Sequence, residues 1–346
     1  MNITENTQLS KIAIHFIGNK NEDELLQESR SLFHPGENLA GLLLKYFLSS
    51  FKSESFYTFK NEELIDAPNV FDIIDETFRN PDALLDNSIR LARHLYAQSD
   101  HPKVKNGEFY AVYFNNCTID GEEVDAIGLF KSEVKDPFMK VEMVDDRFVV
   151  FNEQGINLQK IDKGCLIYNQ NRDGGYIVEI VDNTGKGQDA AYWKEDFLQL
   201  QPRQDEFFNT NHYLSMCKSF ITEELPEQYE ISKTDQIALL NRSVGYFKAH
   251  DDFDIEQFEQ KVIGNQEIIQ DFNKFKENYQ QEKEIVLEDR FNISAPAVKK
   301  QNRVFKSVIK LDKNFHIYVH GNHNLIEQGV DESGRKFYRI FYEEEL

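Results

Sequence analysis

Cysteine is scarce in this chain. Only Cys117, Cys165 and Cys217 occur, widely spaced and odd in number. No pair has zinc-ligand spacing, and no disulfide framework can be drawn, so a reducing compartment is expected. Basic residues are also short: 39 Lys and Arg face 60 Asp and Glu, a net charge of −21. That balance excludes a protein that coats DNA by bulk charge, because a polyanion repels another at long range. Long apolar runs are missing too. The longest, Leu39 to Leu48, is interrupted by Lys45, too short to span a bilayer. The first residues lack the basic and apolar regions of a signal peptide. A soluble cytoplasmic protein without a membrane segment is expected.

Aromatic rings are plentiful, with 28 Phe and 15 Tyr against one Trp. Apolar residues make up 40% and charged residues 29%, an ordinary globular balance. A length of 346 residues suggests two or three domains.

The periodicity predicts a strand over Leu9–Phe16, then a helix over Glu37–Phe51. A second helix is expected from Asn80-Pro81, with Asn80 as cap and Leu85, Ile89, Ala92 and Tyr96 as its apolar face. The middle of the chain reads as strands: Glu108–Phe114, Glu123–Lys131, Phe138–Val144, Arg147–Phe151, Cys165–Tyr168 and Tyr176–Asp182. Turn residues separate them, among them Asp120-Gly121, Asp145-Asp146 and Asp173-Gly174-Gly175. Such short spacers favour antiparallel hairpins over crossovers. A helix over Asp189–Leu200 is expected to bring Tyr192 and Trp193 near Phe197.

Beyond Gln201-Pro202 the pattern turns helical, over about 207–284: Asn211–Thr222, Asp235–Lys248, Ile255–Ile263 and Gln266–Tyr279, with a break at Gly264-Asn265. Residues 251–290 hold 12 acidic and 5 basic residues, a net of −7. Their apolar stripe, Ile255, Phe258, Val262, Ile269, Phe272, Phe275 and Tyr279, reads as core. Strands return at Phe305–Asp312, Phe315–His320 and Lys336–Glu343. The expected architecture is α+β. A domain over 1–203 packs helices on a largely antiparallel sheet. A part over 204–346 is helical and closes with a β-hairpin at about 303–346.

The last hairpin can be registered in advance. A two-residue turn at Lys313-Asn314 would put Leu311 beside His316 and mix the faces. A three-residue loop, Asp312-Lys313-Asn314, pairs Leu311 with Phe315 and keeps apolar residues together. The other face then holds Lys306, Lys310, His316, Tyr318 and His320. From Lys299 to Lys313 there are six basic residues, Lys299, Lys300, Arg303, Lys306, Lys310 and Lys313, and one Asp, a net of +5. A cationic ribbon carrying Tyr318 suits phosphate contact. It equally suits a solvated sheet face whose lysines block edge pairing.

Catalytic patterns are weak. Gly185-Lys186-Gly187 lacks the spacing of a phosphate loop, and no nucleophile-elbow or zincin motif occurs. His316, His320 and His323 have no completing carboxylate for a metal. Asp120 or Asp125 followed by Glu133 and Lys135 is the pattern by which some metal-dependent nucleases hold Mg²⁺. This is an alternative to a binding function. A non-catalytic scaffold that self-associates is another.

Several stretches together resemble the NdpA/YejK-type nucleoid-associated bacterial proteins. They are Ile12-Ala13-Ile14-His15 with Gly18-Asn19-Lys20; Lys105-Asn106-Gly107-Glu108-Phe109 with Ala126 to Glu133; Gly174 to Val178 with Asp189 to Trp193 and Phe197-Leu198; and Phe305 to Asp312. Their order runs from residue 9 to near the end. The resemblance implies a cytoplasmic, nucleoid-associated protein and brings no catalytic residues; with the weak catalytic patterns, a protein that is not an enzyme and has no cofactor or metal is expected. Its partners would be nucleoid DNA, met directly or through a protein such as a DNA-topology enzyme or another nucleoid protein. A homodimer is left open.

Overall fold

A computed structural model of the chain describes residues 6–52, 55–60, 69–99, 104–119, 121–184, 192–302, 308–311, 314–318, 325–342 and 344. The chain divides into two compact units, Met1–Arg203 and Gln204–Leu346. The fold is α+β.

The first unit contains strands β1 (Gln8–Ile17), β2 (Tyr57–Phe59), β3 (Gly107–Ile119), β4 (Glu122–Ser132), β5 (Lys135–Val144), β6 (Arg147–Ile156), β7 (Lys163–Tyr168), β8 (Ile177–Asp182) and β9 (Leu200–Pro202). Its helices are α1 (Glu37–Leu48), α2 (Val70–Arg79) and α3 (Leu84–Ala97). Seven strands form one sheet in the order β1-β3-β4-β7-β8-β2-β9, and the pairings are antiparallel.

Both faces of this sheet are covered, which explains why β3, β4 and β7 read as nearly continuous apolar runs. Phe109, Ala111 and Tyr113 join Ile127, Leu129 and Ile167 in a core with Ile73, Ile74, Leu91 and Leu95 of α2 and α3. The alternate residues Tyr110, Val112 and Phe114 join Phe130, Leu166 and Tyr168 in a second core with Tyr46, Phe47 and Leu48 of α1. Phe47 stacks on Phe130 with ring centroids 4.5 Å apart.

The buried stripe of α3 differs from its expected apolar face. Leu84, Asn87, Ser88, Leu91, Ala92 and Leu95 are buried. Two of these are polar and are satisfied by partners: Asn87 Nδ2 donates to Thr77 Oγ1 at 3.0 Å, and Ser88 Oγ lies 2.8 Å from His15 Nε2. A count of apolar positions skips them, so the stripe it finds is rotated. Asn80 makes no side-chain cap; Pro81–Ala83 forms a 3₁₀ turn that leads into the helix. The helix expected over Asp189–Leu200 is, among its described residues, one π-turn at Tyr192–Phe197, and Leu200 already belongs to β9. Trp193 and Phe197 do meet, with centroids 5.0 Å apart. Strand β9 pairs with β2, and that pairing ends the helical turn.

The second unit contains α4 (Glu206–Ser219), α5 (Lys233–Ala249), α6 (Gln266–Lys283) and α7 (Ala295–Asn302), with short strands β10 (Asp252–Asp254) and β11 (Arg290–Asn292). Gly264 has φ 76°, and Asn265 caps α6 by accepting from the Glu267 and Ile268 amides. The left-handed glycine stops one helix and the Asx cap starts the next. The stripe read as core is core: Phe258, Val262 and Phe272 are buried, with Ile255, Phe275 and Tyr279 packed against them. Two small hairpins follow, β12 (Val308–Leu311) with β13 (Phe315–Tyr318), and β14 (Ile326–Val330) with β15 (Lys336–Ile340). Each is its own two-stranded sheet.

Candidate functional site

Three places in the chain were candidates for chemistry or contact. The first, the acid and E-x-K pattern, does not assemble. Asp125 accepts from Tyr113 Oη and Asn115 Nδ2, each at 2.9 Å. Glu133 is eight residues on, just past the end of β4, roughly 26 Å at the usual rise per residue. Lys135 is paired with Glu108. Asp120 lies outside the described residues. Among the described residues no three His, Cys, Asp or Glu side chains gather as a metal-binding group. His320 and His323 lie outside those residues. The cysteines are buried, and burial raises each thiol, Cys117 to about 12. They are protonated and unreactive at neutral pH.

The second place is the basic C-terminal segment. Lys299 and Lys300 are exposed in the last turn of α7, and the Lys300 ammonium lies 5.2 Å from the centroid of the Phe207 ring. In the hairpin, Leu311 pairs with Phe315, Lys310 with His316, and Val308 with Tyr318. This is the register that keeps apolar residues together, although Phe315 is still 64% exposed. Tyr318 is also exposed. Arg303, Lys306 and Lys313 lie outside the described residues.

The third place was not singled out in the sequence. Among the described residues, strands β5 and β6 pair only with each other, in unbroken register from Lys135↔Ile156 to Val144↔Arg147. Asp145 and Asp146 turn the chain with φ 47° and 57°. Two consecutive left-handed residues make the type I′ turn that matches strand twist, and Asp tolerates that region. Every residue of β5 is exposed. Cross-strand pairs alternate between two faces. One face carries Met139 beside Asn152, Val141 beside Val150, and Met143 beside Phe148. No ionisable residue stands on it between Pro137 and Gln154. Met139 is 77% and Phe148 75% exposed. The other face is mixed, with Lys140 paired to Glu142 at 2.6 Å.

The ribbon is anchored in a buried polar network where it leaves β4 and rejoins β7. Asp162 Oδ2 accepts from the Glu133 and Val134 amides at 2.7 and 2.9 Å, tying the outgoing strand to the returning one. Lys131, fully buried, donates to Glu133 Oε1 at 3.0 Å and to the Lys105 carbonyl at 2.5 Å. Tyr192 Oη donates to Glu133 Oε1 at 2.8 Å, and Thr184 Oγ1 donates to Oε2 at 3.3 Å. Lys163 pairs with Asp182 at 2.8 Å. The Lys131 and Lys163 ammoniums lie 5.6 and 5.3 Å from the Tyr192 ring centroid. Burial lowers the Lys131 pKa, opposed by Glu133. Burial, then the Glu133 charge, raises that of Tyr192. Each of these charges has a partner, as buried ions require. The network fixes the ribbon's exit. Gly107 fits the same place for a steric reason. A Cβ there would stand 1.9 Å from the Ser132 carbonyl oxygen.

The structure is thus α+β, with a two-stranded ribbon that carries one apolar face. The family model for nucleoid-associated protein YejK (NA37) matches residues 13–335, and the chain belongs to that family. No curated protein matches the chain. The family supports a nucleoid-associated role. Among the described residues no helix is long and apolar enough to cross a membrane.

Proposed function

We propose that this protein acts at the nucleoid by binding rather than catalysis, and that it touches DNA directly through the segment Lys299–Lys313. The supporting observation is continuity. Lys299 and Lys300 are exposed at the end of α7, and the chain then enters a hairpin whose register sets Lys310 opposite His316, beside an exposed Tyr318. A net of +5 over this segment offers phosphates a local attraction against the −21 of the whole chain. Such binding is salt-dependent, because engaged phosphates release counterions. Fluorescence anisotropy of a labelled random duplex tests it. Binding should weaken steeply with salt. Lys299→Glu with Lys300→Glu and Lys310→Glu should reduce the slope of log affinity against log salt by about one for each phosphate no longer engaged. Unchanged affinity in that variant would refute direct binding by this segment.

A second reading has its own support. A shallow concavity on the second unit is lined by Gln204, Glu277, Gln280, Gln281, Glu284, Ile285 and Val286, and Val286 is 68% exposed. Acidic side chains around an exposed aliphatic suit a basic DNA-bound protein, such as a DNA-topology enzyme or another nucleoid protein. Association with the nucleoid is then indirect. Recovery of such a partner from a nuclease-treated lysate, abolished by Glu277→Lys and Glu284→Lys, separates this route from the first.

A further inference from the structure

We propose that Met139 and Met143 form a redox-sensitive site, at which a peroxide-class oxidant makes sulfoxides and turns the apolar face of the β5–β6 ribbon polar. The chain has four methionines. Two of them share one side of one strand, with Val141 between them. Met139 is 77% exposed and Met143 59%. Met216, in α4, is fully buried. Met1 lies outside the described residues.

Three observations carry the assignment. The first is the choice of residue. A strand that needs only apolar bulk is best served by β-branched or aromatic side chains, and the same side of the ribbon has them at Val141, Phe148 and Val150. A thioether instead adds a polarizable sulfur that can be oxidised. The second is shielding elsewhere. Cys117, Cys165 and Cys217 are buried, as is Met216. Because oxidation follows exposure, an oxidant that meets the folded chain reacts first at the ribbon. The third is placement. Met143 stands opposite Phe148 beside the Asp145-Asp146 turn, and Met139 stands opposite Asn152. Two sulfoxides therefore put an oxygen on either side of the Val141–Val150 pair and leave no extended apolar stretch.

The step balances simply. The sulfur lone pair attacks one peroxide oxygen, an S–O bond forms and the O–O bond breaks. The leaving hydroxide takes the remaining proton and departs as water. Sulfur loses two electrons and the peroxide gains them. Methionine sulfoxide reductases reverse the change with a dithiol, which becomes a disulfide as the oxygen leaves in water. A sulfoxide accepts hydrogen bonds, so an apolar surface laid over it leaves it unsatisfied. The face thus offers an apolar contact when reduced and withdraws it when oxidised. Every residue of β5 is exposed, so the added oxygens meet solvent and disturb no core.

Hydrogen peroxide titrated into the full-length protein tests this without reference to DNA. Peptide mass mapping should show Met139 and Met143 gaining one oxygen each about 10-fold or more faster than Met216. In urea the three rates should converge. Circular dichroism of the treated protein should match that of the untreated one. On phenyl-agarose, developed with a falling ammonium sulfate gradient, the oxidised protein should elute earlier. Treatment with the reductases for both sulfoxide epimers should restore the original position. Met139→Leu with Met143→Leu should keep its elution position through the same peroxide treatment. Oxidation of Met216 at the rate of the ribbon pair would overturn the proposal. So would an unchanged elution position once both sulfoxides have formed, or an equal shift in the double Leu variant.

Discussion

Strands β4 and β5 follow one another and are of nearly equal length, yet they end in opposite environments. From Ala126 to Ser132, β4 is buried without a break, while every residue of β5 is exposed. Both contain Val, Phe and other apolar residues in quantity. The difference lies in what is laid over them. β4 has α1 on one side and α2 with α3 on the other, delivered by segments distant in sequence. β5 has only β6. Apolar patterning therefore reports that a strand can take a cover, and not whether one arrives.

The comparison can be broken most forcefully by trimming one ring in each place. Phe130→Ala, between Phe47 and Phe114, should cost about 3–5 kcal/mol of unfolding free energy in urea. Phe148→Ala on the ribbon should change it by no more than about 0.5 kcal/mol. Equal losses would mean the ribbon is packed on the body after all.

A smaller effect is expected at the boundary between the two strands. Glu133→Gln removes the counter-charge of the buried Lys131 and should destabilise the unit by about 3 kcal/mol. Adding Lys131→Met should restore much of that loss, because the stranded ammonium is gone. Equal instability of the single and double variants in thermal melts would mean that the network matters through shape rather than charge.

The smallest effect concerns pH and the core sheet alone. His15 on β1 is held neutral: the Ser29 amide donates to its Nδ1 at 3.1 Å, so its Nε2–H faces Ser88 Oγ. Burial lowers its pKa below the ordinary 6.5. The unfolded chain then binds the proton more readily than the folded one. Stability from this residue is complete above pH 6.5 and falls as pH drops toward the folded value. His15→Gln should flatten the unfolding free energy measured between about pH 7 and 5. Asp75 acts further down. Arg172, with Tyr176 and Arg79, holds its carboxyl at about 2. Its contribution is present above the ordinary 3.8 and is lost as pH falls toward 2.

Much of this structure was legible in the residue order. The strands β1, β3, β4, β7 and β8, the Asp145-Asp146 turn, the Gly264-Asn265 break and the register of Leu311 on Phe315 all follow from alternation and turn chemistry. These are short-range properties, fixed by neighbours a few residues apart. Other features were hidden for identifiable reasons. The stripe of α3 includes Asn87 and Ser88, whose burial depends on Thr77 and His15. The π-turn at Tyr192 depends on β9 pairing with β2. The anchor of the ribbon depends on Asp162 meeting amides of Glu133 and Val134, far earlier in the chain.

Residue order alone thus determined the acidic charge, the elements, most turns and the basic segment near the C-terminus. It also determined that Met139, Val141, Met143, Phe148 and Val150 would share a side of a hairpin. Only the tertiary structure decided that this side would remain bare while the equally apolar faces of β3 and β4 were covered twice. Alternation along a strand sets where side chains point, but burial is set by which distant segments arrive on top, and no local pattern encodes that arrival.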